Sequence, residues 1–327
     1  MNIYGTLGPA CTDAGLLEKM FEAGLTGMRL NLSHIAIDEA APMIEALHKA
    51  AANRGIKAEL LMDMQGPELR IGALKEPLRL EKGSAFTLGE GGVPVPELVL
   101  PHLKAGQEIL LDDGKILAKV TEKTTGGAVA EVLRGGVLTS KKSICLSGLC
   151  IEGPTLTSMD MENIRKAKDY GVTWLMQPFV RHRHELDTVR AALDENGGKN
   201  IKIMAKIESM EGVENIGELI PACDEICIAR GDLGNAIPLW QLPAAQKKLA
   251  AACREAGRDF TVVTQMLYTM ERSPIPTRAE MSDIFNAVLD GAASLMLTGE
   301  TAMGLYPVEA VHYLSSAAKA AQDYMKT

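Results

Sequence analysis

The residues of this chain that could do chemistry collect at the ends of its apolar runs. Arg29, Asn31 and Ser33 close the run TGMRLNL two residues apart, and the period of a strand points all three to one side. Asp63 ends KAELLMD and is followed by Gly66, Pro67, Glu68 and Arg70. Lys206 and Glu208 repeat the two-residue spacing, as do Arg230 and Asp232; Thr264 closes a further run, and Thr298 with Glu300 the last. Two arginines, a lysine and several carboxylates at one mouth are costly as core, because unpaired buried charge is not tolerated. A metal ion with an anionic substrate would satisfy them. Two readings are open for Glu208 and Asp232: an ion network with Lys206 and Arg230, or oxygen ligands to magnesium, which takes one or two carboxylates plus substrate and water. Arg29 suits bidentate phosphate recognition. His34 lacks an orienting partner and reads as a packed histidine. Nothing in the set requires a nucleophile.

These residues need a scaffold that brings run ends together, and the order of elements supplies one. Strand-like runs alternate with amphipathic helical stretches from the first residue, the pattern of parallel α/β architecture. NIYGTLG leads to TDAGLLEKMFEAG, with Thr12 as the expected N-cap and Gly24 as the stop. Eight such pairs can be counted, the last ending in PVEAVHYLSSAAKAAQDY. The count is interrupted between residues 71 and 150, where short Gly-punctuated strands such as EILLDDG and ILAKVTEK replace the helical period. Without this stretch about 250 residues remain, the usual size of an eight-fold β/α barrel. The expected fold is therefore a (β/α)8 barrel over 1–70 and 151–327, with a small β-barrel lid, 71–150, inserted after the third strand. A doubly wound open sheet suits eight regular units poorly when no Gly-rich dinucleotide loop is present.

Composition narrows the function. The chain has 327 residues, 46% of them hydrophobic and 23% charged, which is the balance of a folded globular protein. A net charge of -8 gives no basic field for nucleic acid. The apolar runs are shorter than the ~20 residues of a membrane span, and Met1 leads straight into a strand, so a cytoplasmic protein is expected. The six cysteines form no C-x-x-C pair and read as free thiols. The stretch GVLTSKKS, 136–143, imitates a P-loop, but Lys141 stands where the second glycine belongs and β structure flanks it on both sides.

The segments TLGPA, MRLNLSH, MDMQGPELR, IMAKIESMEG, ARGDLG, TQML, PTRAE and LTGETAMG, in this order, resemble pyruvate kinase over nearly the whole chain. The resemblance implies a β/α barrel with a β domain after the third strand, and Mg2+ (or Mn2+) and K+ as cofactors. It implies that Arg29 and Lys206 hold the transferring phosphoryl group, Lys206 also stabilising the enolate. Glu208 and Asp232 would bind magnesium; Asn31, Ser33, Asp63 and the Met64 carbonyl would hold potassium, with the acidic Glu68 fitting the potassium-dependent form. Gly231, Asp232 and Thr264 would receive the substrate carboxylate, and Thr264 and Thr298 would lie near the enol protonation path. On the nucleotide side it implies Arg29, Asn31, Asp112 and Lys142.

The departures fall on one half of the implied site. Gln65 stands where the family has Lys, Ile35–Glu39 replace a segment carrying the ring residues near adenine, and Pro178 replaces a small residue before Phe179. The phosphoenolpyruvate half is intact. The expected activity is phosphoryl transfer between phosphoenolpyruvate and a nucleoside diphosphate, with no nucleic acid or membrane partner and with self-association through the barrel left open. The alternatives are a pyruvate or oxaloacetate lyase using the same enolate, or a phosphoenolpyruvate sensor. The family's C-terminal allosteric domain has no counterpart in this sequence, from which hyperbolic kinetics are expected.

Overall fold

The computed structural model describes every residue except His34, Glu68, Asp113, Cys150, Glu152 and Thr327, so the readings placed on His34, Glu68 and Cys150 lie outside the described residues. In chain order, β1 (Asn2–Thr6), α1 (Ala14–Glu22), β2 (Gly27–Asn31), α2 (Ala41–Arg54) and β3 (Glu59–Asp63) come first. Seven short strands follow: β4 (Leu78–Leu80), β5 (Ala85–Gly89), β6 (Glu108–Leu111), β7 (Ile116–Thr124), β8 (Gly127–Arg134), β9 (Gly136–Leu138) and β10 (Ile144–Leu146). The alternation resumes with α3 (Ser158–Ala167), β11 (Trp174–Gln177), α4 (Arg183–Glu195), β12 (Lys202–Ile207), α5 (Met210–Glu214), α6 (Ile216–Leu219) and β13 (Glu225–Ala229). It ends with α7 (Arg230–Ala236), α8 (Leu242–Glu255), β14 (Phe260–Val263), α9 (Arg278–Leu289), β15 (Ser294–Met296), α10 (Gly299–Ala302) and α11 (Pro307–Tyr324).

Eight parallel strands close in the order β1, β2, β3, β11, β12, β13, β14, β15 and back to β1, the (β/α)8 barrel expected. Its interior is filled by Tyr4, Leu61, Trp174, Met176, Met204, Cys227, Ala229, Val263 and Met296, which alternate along the strands with residues facing the helices. Residues 1–66, 155–233 and 240–327 make up this unit. The second unit is 67–154 with 234–239. It contains a five-stranded antiparallel sheet, β10-β6-β7-β8-β5, and a two-stranded ribbon, β4-β9, around a core that includes Leu88, Val99, Ile109, Leu111 and Ala130. Lys141 adopts the left-handed φ of 60° after β9, with no helix following, which disposes of the P-loop imitation.

Local details differ from expectation for physical reasons. Asp13, not Thr12, caps α1: its carboxylate accepts the Leu16 N–H, while Thr12 is spent ending the short turn Pro9–Cys11. The amphipathic stretch EGVENIGELIPA, 211–222, has the helical period throughout but breaks at Asn215, whose side-chain amide donates to the Arg181 carbonyl at 3.0 Å. Arg230 and Asp232, expected at the end of a strand, belong to α7, because β13 ends at Ala229. The five described cysteines are free.

Candidate active site

Parallel register carries the charges to one end of the barrel. β2 pairs with β3 so that Arg29 lies beside Leu61 and Asn31 beside Asp63, and β12 pairs with β13 so that Lys206 lies beside Cys227. Leu61, Met204 and Cys227 fill the interior, so Arg29, Asp63 and Lys206, in the same phase, point inward at the carboxyl ends of their strands.

There they form one connected set. Arg29 donates from Nε to Asp63 Oδ2 at 2.7 Å, its Nη2 lies 2.6 Å from the same oxygen, and Nη1 reaches Thr6 Oγ1 at 3.2 Å. Lys206 Nζ stands 3.3 Å from Asp63 Oδ1 and 3.1 Å from Glu208 Oε1. Glu208 Oε2 accepts the Phe179 N–H at 2.8 Å. The Asp63 and Glu208 carboxylates are 2% exposed and the Arg29 and Lys206 side chains 12% and 13%, so the carboxylates form the floor and the cations keep the greater access to solvent. Burial works against the charge on Lys206, but Asp63 and Glu208 outweigh it and hold the ammonium above its ordinary range. Lys206 is thus a standing positive charge and not a base. Burial also pushes the neighbouring Cys227 thiol far up, leaving it neutral, in keeping with a site that needs no nucleophile.

The other expected residues lie on the loops that leave the strands. Thr264 and Gln265, directly after β14, have left-handed φ values of 80° and 56°, a costly conformation for a β-branched residue. The Thr264 carbonyl is gripped by Arg230, at 2.8 Å from Nη2 and 3.2 Å from Nε, and Arg230 Nη1 donates to Asp283 at 2.8 Å. Asp283 is therefore the observed carboxylate partner of Arg230. A Cβ built on Gly231 would stand 3.3 Å from Thr264 Cγ2, which puts the α7 start against the Thr264 side chain. Glu300, 1% exposed, accepts the N–H of Leu267 at 3.0 Å and both the N–H and hydroxyl of Thr298 at 2.7 and 3.2 Å, tying the loops after β14 and β15 together. Asn31 Oδ1 takes the Ser33 N–H at 3.0 Å, so those two close a turn after β2.

Asp112 and Lys142 form an ion pair of 2.8 Å within the second unit, with Lys115 at 3.3 Å from the other carboxylate oxygen. The carboxyl of Asp112 is held below its usual range, its burial being outweighed by Lys142 and Lys115.

Several positioning groups were not among the expected residues. Thr6 orients Arg29. Asp160, fully buried, accepts the N–H groups of Gln65 and Gly66 at 3.0 and 3.1 Å and also the N–H and the hydroxyl of Thr157, at 2.8 Å each, which fixes the backbone just past Asp63 and Met64. The spacing Thr157-x-x-Asp160 is a capping-box pattern and was the available signal. Phe179 takes a φ of 53° to aim its N–H at Glu208, for which the sequence offers no signal.

The donor set suits hard cations. Asp63 Oδ1 is a buried carboxylate oxygen that accepts no well-formed hydrogen bond, and Glu208, Asp232, Asn31 and Ser33 offer oxygen alone. Among the described residues no three His, Cys, Asp or Glu side chains gather as a protein-only metal cage would need. Two carboxylates completed by substrate and water do not need such a cage.

A family model described as pyruvate kinase, barrel domain, matches residues 1–311. The chain belongs to the pyruvate kinase family. A pyruvate kinase of Sporosarcina psychrophila is 38% identical over 336 residues, covering 98% of this chain and 57% of that protein. A pyruvate kinase of Staphylococcus saprophyticus is 38% identical over 338 residues, covering 99% and 58%. One of Chlamydia trachomatis serovar D is 36% identical over 323 residues, covering 96% and 67%. The chain thus spans 57 to 67% of the length of these pyruvate kinases. The match runs through both the barrel that carries the charged floor and the inserted second unit.

Proposed function

We propose that this chain carries the pyruvate kinase reaction, phosphoryl transfer between phosphoenolpyruvate and ADP or another nucleoside diphosphate. The observation behind this reading is the Lys206 ammonium locked between Asp63 and Glu208 with the Arg29 guanidinium on the same carboxylate. Phosphoryl transfer asks a protein mainly for positioning and for neutralisation of charge. Arg29 and Lys206 hold the transferring group, and Lys206 steadies the enolate oxygen as the phosphoryl group departs. Gly231, Asp232 and Thr264 receive the substrate carboxylate. Thr264 and Thr298 stand by the carbon that gains a proton. Glu208 and Asp232 would hold Mg2+ or Mn2+, and Asn31, Ser33, Asp63 and the Met64 carbonyl would hold K+; when bound, these ions supply positive charge at the phosphoryl and enolate oxygens. Arg29, Asn31, Asp112 and Lys142 are assigned to the nucleotide by resemblance; the lid role of 71–150 rests on the order of elements, and a cytoplasmic location on the short apolar runs. No helix among the described residues is long and apolar enough to cross a membrane.

A second reading follows from the departures at Ile35–Glu39, Gln65 and Pro178. In the segment that departs from the family, Asp38 is committed to Lys166 and accepts the Tyr170 hydroxyl at 3.0 Å, so the chain there is fastened to the region of α3 by charge. If the nucleotide half has been lost, the same cationic floor serves a pyruvate or oxaloacetate lyase, or a sensor of phosphoenolpyruvate. The test is pyruvate formation from phosphoenolpyruvate with each diphosphate, magnesium and potassium, in the wild type and in Asp232→Ala. Asp232→Ala is expected to fold and to lose magnesium-dependent activity; wild-type rates from the folded variant would refute the metal assignment.

A further inference from the structure

The amino end of the barrel, away from the residues assigned to substrate, holds a second polar group in an apolar setting. Glu225 opens β13, Thr261 is the second residue of β14 and Ser294 opens β15, on three adjacent strands. They are 3%, 0% and 0% exposed. The hydroxyls of Thr261 and Ser294 both bond to the same Glu225 oxygen, Oε1, and stand 2.5 Å from each other.

Three oxygens in mutual contact need three hydrogens. If Glu225 is ionised, only the two hydroxyl protons exist; with both directed at Oε1, the contact between Thr261 and Ser294 sets lone pair against lone pair. If Glu225 is protonated the count closes: its O–H donates to Thr261 Oγ1, Thr261 donates to Ser294 Oγ, and Ser294 donates back to Oε1. We propose that Glu225 is a neutral carboxylic acid in the folded protein at neutral pH, and that the proton of this ring is taken up as the barrel closes.

The surroundings agree with the count. Burial pushes the Glu225 carboxyl above the usual carboxylate range, in spite of the Ser294 and Thr261 bonds; Asp259 pushes the same way and Lys202 opposes. Lys202 also sits 4.8 Å above the Trp174 ring. Glu225 also acts on the Tyr4 phenol, raised by burial, by Glu225 and by Glu59, and on the Cys227 and Cys253 thiols, raised chiefly by burial, with Arg258 acting against the rise at Cys253. Lys202 is the cation that acts directly on Glu225, and Arg258 acts on Cys253.

The consequence is a proton linkage that does not depend on the proposed activity. The group's folded value lies above its unfolded one, so its contribution is complete below about pH 4.3 and is lost as pH rises toward the folded value. Across that window the unfolding constant gains a factor of about ten per pH unit.

Urea unfolding of the wild type and Glu225→Gln between pH 5 and pH 8 tests this, because glutamine carries the missing donor permanently. The ratio of the wild-type unfolding constant to that of the variant is expected to climb with pH, approaching tenfold per unit. The infrared difference spectrum of the two at neutral pH should show a protonated-carboxyl band that belongs to the wild type alone. A pH-independent ratio, with a carboxylate band lost in the variant, overturns the proposal. Stability of the wild type that rises with sodium or potassium at this group would overturn it too, by putting a cation where the proton is assigned. Should Glu225→Gln fail to fold, the wild-type spectrum decides alone: a protonated-carboxyl band that shifts in Ser294→Ala supports the ring, and its absence contradicts it.

Discussion

Lys206 acts as a charge that stays in place. Held above its ordinary range by Asp63 and Glu208, it does not titrate in the working range, so the pH dependence of turnover must come from other groups. Asp63 is what makes that arrangement possible, standing between the Arg29 guanidinium and the Lys206 ammonium at 2% exposure. Asp63→Asn leaves two cations facing each other without their shared carboxylate, and breaking a buried pair in this way costs about 3–5 kcal/mol. A marked fall in melting temperature is expected, together with weaker phosphoenolpyruvate binding; calorimetry and substrate titration check both. An unchanged melting temperature would mean that water already compensates the pair. That Arg29, Asp63, Lys206 and Glu208 come together was legible in the sequence, because polar residues that close successive apolar runs of a β/α barrel share one end. The sequence could not reveal Thr6 or Asp283, which lie 23 and 53 residues from the arginines they orient, and it marked Asp160 only as a helix cap, not as the holder of Gly66 94 residues away.

The elements place these residues by holding their own ends in unfavourable backbone. Thr264 and Gln265 are both left-handed, and the Arg230 grip on the Thr264 carbonyl with the Glu300 bond to the Leu267 N–H keeps the loop after β14 in that state. Each such residue stores about 1–3 kcal/mol. Thr264→Gly removes the steric strain at one of them while leaving the carbonyl for Arg230. The strain relieved, about 1–3 kcal/mol, exceeds the roughly 0.4–1 kcal/mol that glycine costs through the freer unfolded chain, so the variant is expected to be the more stable in a urea titration and to turn over slowly. Lower stability in the variant would show that the strain costs less than the threonine side chain contributes by packing. Strand and helix order was legible from periodicity, and so was the interruption by a β-rich stretch. The ends of elements were not. Asn215 splits one helical stretch where its side chain bonds the carbonyl of Arg181, 34 residues away, and Arg230–Asp232 turn helical as soon as β13 ends.

At the scale of the whole molecule, two opposing sets of carboxyls shape stability against pH. Glu185 accepts the N–H groups of Arg181 and His182 and the Arg181 guanidinium, which hold it below its usual range although its burial pushes upward; Glu280 is lowered in the same manner by Thr269 and Thr277. Their contribution is present above about pH 4.3 and is lost as pH falls through their folded values. Glu225 has the opposite sign and loses its contribution as pH rises. Stability is therefore expected to decline on both sides of a maximum, and Glu185→Gln should flatten the acid side in a urea series from pH 6 to pH 3. The function rests on a narrower claim, that the charged floor at the carboxyl end of the barrel handles the enolate of pyruvate and passes phosphate to a nucleotide. The direct test follows deuterium exchange at C3 of pyruvate, and pyruvate formation from phosphoenolpyruvate with each nucleoside diphosphate, with magnesium and potassium, in the wild type and in Lys206→Met. Both activities are expected in the wild type, with a loss of at least about 10²–10³-fold in the variant, the size of effect expected on removing a principal charge-stabilising group. Exchange without phosphoryl transfer to any diphosphate would contradict the kinase account in favour of the lyase, and absence of both would leave a protein that only binds.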